Sequence, residues 1–140
     1  MPFLFDTDAI SETLRKRPAA AFLAWLAGVP RGEQFASAVS IGEMYRGAFR
    51  SPERERHLGN IEERVLPRLT VLPFDTQAAR IYGEIHAELA AAGRPIADAD
   101  LQIAATAIRF DLELVTGNLR HFSRIPGLVT SDVFARCREG

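Results

Sequence analysis

At 140 residues, 47% of them hydrophobic and 25% charged, the chain has the size and balance of one globular domain with a core of its own. A formal net charge of −1 removes any argument from an overall basic field, and the lone Cys137 excludes a disulfide framework and a thiolate metal site. No apolar run reaches membrane-spanning length and no signal-peptide pattern opens the chain, so no membrane partner is expected and the expected setting is cytoplasmic.

The opening Pro2-Phe3-Leu4-Phe5 is short and apolar and predicts a buried strand. Asp6-Thr7-Asp8 then starts a helix carrying Ile10 and Leu14 up to Arg15-Lys16-Arg17, and Pro18 opens a second helix with Phe22, Trp25 and Leu26 on one face. Gln34 to Val39 predicts a second strand, followed by a helix from Ser40 towards Arg50. After the Ser51-Pro52 break, Leu58, Ile61 and Val65 recur at helical spacing, with Glu53-Arg54-Glu55-Arg56 as a solvated face. Thr70 to Phe74 predicts a third strand, and Asp75 caps a helix striped with Ala78, Ile81, Tyr82, Ile85 and Leu89 until Gly93. Asp98 to Phe110 is apolar after its first turn and predicts a buried helix. Leu112 to Thr116 is the fourth strand, and Gly127 to Thr130 a short fifth. This alternation of strands and helices predicts a single α/β domain spanning residues 1–140 around a mainly parallel sheet of four to five strands.

Acidic or amide residues sit where apolar runs meet helix starts. They are Asp6 after Phe5, Glu43 after Ile41-Gly42, Asp98 and Asp100 before Leu101, and Asn118 after Thr116-Gly117. Each has a local reading. Asp6 or Asp8 would cap the first helix, Glu43 would close a capping box with Ser40, and Asp98 would cap its own helix with Asp100 in the first turn. Asn118 would serve a turn. Strand ends at Asp6, Glu43 and Asn118 would instead bring these groups to one carboxyl edge of the sheet, where open α/β folds bind ligands. Clustered carboxylates repel one another, so that arrangement calls for a hard divalent cation. The three histidines, His57, His86 and His121, are scattered without ligand spacing. Neither a nucleophile elbow nor a phosphate-binding glycine loop is present.

Four segments in order carry a resemblance across essentially the whole chain. They are Leu4-Phe5-Asp6-Thr7-Asp8-Ala9-Ile10-Ser11-Glu12, then Ser40-Ile41-Gly42-Glu43-Met44, then Gly93 to Ala105 with Asp98 and Asp100, and then Leu114-Val115-Thr116-Gly117-Asn118 continuing to Leu128. The sequence resembles the PIN-domain family, in particular the toxin ribonucleases of the VapC type and their FitB-like relatives. The resemblance implies a three-layer α/β/α sandwich and a Mg²⁺- or Mn²⁺-dependent endoribonuclease acting as the toxin of a type II toxin–antitoxin module. Carried onto this chain, it assigns catalysis to Asp6, Glu43 and Asp100, with Asp6 and Asp100 as metal ligands. Asp98, Asn118, Thr7 and Thr116 take supporting places. The family's first motif commonly reads Asp-Thr-Asn where this chain has Asp8. The fourth acidic position falls on Asn118, which favours one firmly held metal over two.

The implied partners are a VapB-like antitoxin, an RNA substrate such as tRNA, and a second copy in a homodimer. Arg46, Arg120 and Arg124 are the basic residues nearest the motifs and are candidates for phosphate contacts, beside their reading as solvated surface. Leu14, Phe22, Trp25 and Leu26 are candidates for antitoxin contact, beside their reading as core. Two alternatives remain at this stage. Phe5-Asp6-Thr7-Asp8 also fits the first motif of a haloacid-dehalogenase-like phosphatase, although the required later lysine is missing, Lys16 being the only one. A non-catalytic PIN-fold binding module is the other.

Overall fold

A computed structural model describes residues 1–139. Five short strands form one parallel sheet: β1 (Phe3–Phe5), β2 (Gln34–Ser37), β3 (Thr70–Leu72), β4 (Glu113–Val115) and β5 (Thr130–Ser131), in the order β3-β2-β1-β4-β5. Leu4 pairs with Phe35 on one side and Leu114 on the other, so β1 is central. The chain first builds outward through β2 and β3, then crosses back to lay β4 and β5 on the opposite side of β1. The strand order therefore reverses between β1 and β4, which makes a crevice at the carboxyl ends of those two strands.

Alternation along the strands divides the core into two layers, as side chains of period two require. Leu4 and Leu114 point to one face, against Ile85 and Leu89 of α5 (Thr76–Ala91) and Leu101, Ile103 and Ala104 of α6 (Asp98–Arg109). Phe5 and Val115 point to the other. There they meet Ile10 of α1 (Thr7–Glu12), Phe22 and Leu26 of α2 (Ala20–Ala27), Ile41 of α3 (Ala38–Arg50) and Phe134 of α8 (Val133–Glu139). The result is the expected α/β/α sandwich. Phe22 is fully buried, with its ring 5.9 Å from Trp25 and 4.9 Å from Phe134. Phe22 and Leu26 thus belong to the core and are not open to a partner, while Leu14 and Trp25 pack half-buried against it.

Several boundaries differ from those read in the sequence. The second strand ends at Ser37, not Val39, because the Ser37 hydroxyl accepts the Val39 N–H at 3.0 Å and starts α3 there. Ser40 consequently lies inside the first turn, buried, and does not cap. The third strand stops at Leu72, since Pro73 has no N–H for the ladder. Gly127 adopts φ 82°, outside any strand conformation, so β5 begins only at Thr130. Within 53–66, α4 (Arg54–Asn60) widens into a π turn at Ile61–Val65. Two short helices, α7 (Leu119–Phe122) and α8, follow β4 and β5 without having been anticipated. Asp75 caps α5 as expected, accepting from the Ala78 N–H at 2.8 Å. It also binds Arg109 at 3.0 Å, which fastens α5 to the end of α6. Among the described residues, no helix is long and apolar enough to cross a membrane.

Candidate active site

Asp6 leaves the end of β1 directly into α1 and is only 7% exposed. Its backbone N–H still reaches the Val115 carbonyl at 2.9 Å, so the residue is held in register with β4 at the crevice. Both carboxyl oxygens are occupied. Oδ1 accepts the Thr7 N–H at 2.7 Å and Oδ2 accepts the Thr116 hydroxyl at 2.9 Å. Asp6 is therefore the N-cap of α1 and also part of the crevice, so the two readings of this residue coexist. The Thr116 hydroxyl in turn accepts the Asn118 N–H at 3.0 Å, which ties the turn after β4 to the same carboxylate.

Asp8 lies two residues further on, in the first turn of α1. Its Oδ2 accepts the Gly117 N–H at 3.3 Å, while its Oδ1 is buried with no hydrogen-bond partner in the structure. Burial, and then the negative charge of Asp8, push the Asp6 carboxyl up to about 7, against the opposing hydrogen bonds from Thr116 and the Thr7 N–H.

Glu43 enters from α3 through Thr7, whose hydroxyl donates to Glu43 Oε1 at 2.8 Å. This contact replaces the capping box with Ser40, whose own hydroxyl is buried without a partner. Asp100, half-buried in the first turn of α6, pairs through Oδ2 with His121 Nε2 at 3.0 Å. Asp98 points elsewhere: it accepts the Tyr82 hydroxyl at 2.9 Å and lies 3.7 Å from His86, both on α5. That bond raises the Tyr82 pKa. Asp98 does not cap α6 either, the N-cap being Ala97 without a side-chain bond. Asn118 is exposed and enters the network through its backbone.

The donor chemistry fits a divalent cation. A carboxyl forced towards its acid form by burial and then by a neighbouring carboxylate, together with an orphaned buried carboxylate oxygen, is an arrangement that a hard cation relieves. Among the described residues, however, no three His, Cys, Asp or Glu side chains already converge as a ligand set. Glu43 and Asp100 are turned towards Thr7 and His121.

The family model of the PIN domain matches residues 3–128. The chain belongs to the PIN-domain family. It is 37% identical over 132 residues to the tRNA(fMet)-specific endonuclease VapC of Shigella flexneri, covering 94% of this chain and 98% of that protein. Among solved structures it is similar to VapBC2 from Rickettsia felis bound to a DNA fragment from their promoter. That match has a TM-score of 0.86 and 27% identity, covering 94% of this chain and 98% of that one. DNA-bound VapBC from Salmonella typhimurium matches with a TM-score of 0.83 and 35% identity, covering 94% and 97% of the two chains. PIN nucleases generally depend on a divalent metal. The phosphatase alternative lapses with the family assignment, and Lys16 lies exposed just beyond α1.

Three side chains that border these candidate residues were not singled out from the sequence. Asp8 stood there as a departure from the usual motif, His121 as one of three scattered histidines, and Arg138 did not figure. The missed signal for His121 is its place three residues after Asn118, where one helical turn carries it back over the strand edge. Arg138 of α8 donates to the Gly117 carbonyl at 3.3 Å and lies 4.6 Å over the Phe134 ring. A Cβ on Gly117 would lie 2.2 Å from this guanidinium and 2.9 Å from Asp8 Oδ2. The arginine tip can swing away, so Gly117→Ala should cost only about 1 kcal/mol in chemical denaturation. Asp8 is fixed to the Gly117 N–H and has less freedom, so activity should fall further than stability does. Parent-like activity in this variant would show that the Asp8–Gly117 contact is dispensable.

Proposed function

We propose that this chain is a divalent-metal-dependent endoribonuclease and the toxin of a VapBC-type toxin–antitoxin pair. The observation that carries the reading is the buried Asp6 at the switch point of the sheet, bonded to Thr116 and crowded by Asp8. The relatives named VapC and FitB, and the VapBC complexes among solved structures, support it.

In this reading Asp6 and Asp100 would hold Mg²⁺ or Mn²⁺, which would supply positive charge to offset the negative charge developing on the phosphoryl group. The residues of the chain do the rest. Thr116 and the Thr7 N–H hold both oxygens of Asp6 in place. Glu43 is fixed through Oε1 by Thr7, which leaves Oε2 to take the proton of the attacking water. The water oxygen bonds to phosphorus as the bond to the 3′ oxygen breaks. The products are a 5′-phosphate and, after proton uptake, a 3′-hydroxyl. His121 orients Asp100. Asp98 is a supporting residue on the α5 side, and Asn118 holds the β4 turn to Thr116. The expected partners are a VapB-like antitoxin, tRNA as substrate and a second copy of this chain, in the cytoplasm. A cavity of about 420 Å³ beside Glu43, lined by Leu14, Met44 and Ile61 together with Arg15, Arg56 and His57, offers an antitoxin segment a partly apolar, partly basic seat.

Purified protein should cleave tRNA with Mg²⁺ or Mn²⁺ and stop on addition of EDTA. Asp100→Ala should lower the rate by on the order of a thousandfold, as expected for loss of a charged group that acts on the transition state. Cleavage by Asp100→Ala at the parent rate would remove Asp100 from the site. Absence of RNA cleavage by a folded, metal-loaded parent that still binds RNA would favour the non-catalytic binding module.

A further inference from the structure

A second cavity, of about 350 Å³, is lined by Asn118, Arg120, His121 and Arg124, all from the turn after β4 and the helix α7 that follows it. Among the described residues neither Arg120 nor Arg124 pairs with a carboxylate, although both are exposed. Unneutralised guanidinium groups around a concave surface are a seat for phosphate oxygens, which they meet with paired N–H donors.

The cavity is joined to the acids at both ends. At one end, the Asn118 N–H binds the Thr116 hydroxyl, which binds Asp6 Oδ2. At the other, Arg124 lies 3.4 Å from His121 Nδ1 while His121 Nε2 lies 3.0 Å from Asp100 Oδ2. Arg124 is a pure donor, so Nδ1 accepts from it and Nε2–H donates to Asp100. A continuous chain of contacts thus links the cavity to Asp6 and Asp100. The protein as a whole is slightly acidic, so this local excess of positive charge is not a by-product of composition.

We propose that this cavity seats the RNA backbone phosphate next to the scissile one, with Arg120 and Arg124 as the gripping groups and Asn118 at its rim. The proposal rests on the ribonuclease reading for its ligand but is tested separately from it. tRNA binding is followed by fluorescence anisotropy in EDTA, where no cleavage occurs, over a salt series, for the parent and for Arg120→Gln/Arg124→Gln. Arg80→Gln is the control, since that arginine is already paired with Glu84.

The double variant should bind roughly tenfold more weakly, equally for unrelated RNAs, with a shallower salt dependence, as loss of phosphate contacts requires. Its KM for cleavage should rise more than its kcat falls, and its melting temperature should stay that of the parent. Unchanged affinity and salt slope in the double variant overturn the proposal, whatever the parent does to RNA. So does equal weakening by Arg80→Gln, which would mean that overall charge and not this cavity is read. A parent that cleaves no RNA defeats the nuclease reading, while selective loss of binding in the double variant would still support the seat.

Discussion

Asp6→Asn should melt at a higher temperature than the parent at pH 8 in EDTA, while cleaving RNA on the order of a thousandfold more slowly. The stability gain follows from the sign of the shift. The Asp6 carboxyl releases its proton near 3.8 when unfolded and only at about 7 when folded. Between those values the folded chain holds a proton that the unfolded chain has lost, so stability falls as pH rises through the interval and stays low above it. The full penalty at pH 8 is on the order of 4 kcal/mol. Asparagine removes the charge and keeps the geometry. Its Oδ1 still accepts the Thr7 N–H, and its amide donates to the Thr116 hydroxyl, which can accept a second bond besides the one from Asn118. The gain should all but vanish near pH 4, where the folded carboxyl is protonated and the unfolded one is close to half-protonated. Adding Mg²⁺ or Mn²⁺ should stabilise the parent and leave the variant nearly unmoved. Equal melting temperatures at pH 4 and pH 8 for parent and variant would falsify the assignment of a strained carboxylate at this position.

That trade explains which parts of the molecule were legible in the sequence. Strand-forming apolar runs announce themselves, because Leu4, Phe5, Leu114 and Val115 are buried on both faces of the sheet and need no alternating pattern. The trio Asp6, Glu43 and Asp100 stood out because each adjoins an apolar run, although Glu43 lies in the second turn of α3 and not at a strand end as the sequence suggests. Their hydrogen-bond partners did not stand out, since a sequence does not say which strand neighbours which. Thr116 can reach Asp6 only because β4 crosses back beside β1, and that pairing joins residues 110 positions apart. Thr7 and Glu43 meet for a similar reason, and their contact displaces the local capping box that Ser40 and Glu43 suggest. Local rules mislead where a long-range partner offers the better bond. The short helices α7 and α8 escaped because four and seven residues carry too few turns to establish a period. Yet α7 holds His121 and α8 holds Arg138, so the least legible elements contribute to the edge of the site.

Asp8→Asn provides the sharper test of how the carboxylates act together. Asp8 is the second cause of the raised Asp6 pKa, after burial itself, and its Oδ1 is the buried oxygen without a partner. Removing its charge should lower the Asp6 pKa and raise stability at pH 8, because the repulsion between the two groups disappears. The effect on metal requirement has two opposed parts. Losing a negative charge weakens the attraction for a cation at every pH. Losing the repulsion makes Asp6 easier to ionise, which strengthens binding only where the parent carboxyl still holds its proton, at and below about 7. At pH 8 the first part acts alone, so the variant should need more Mg²⁺ for half-maximal cleavage than the parent. At pH 6 the second part offsets it, and the difference should narrow or reverse. The parent's metal requirement therefore climbs more steeply between pH 8 and pH 6 than the variant's. Identical steepness would mean that Asp8 does not act on Asp6, leaving its bond to the Gly117 N–H as its whole role.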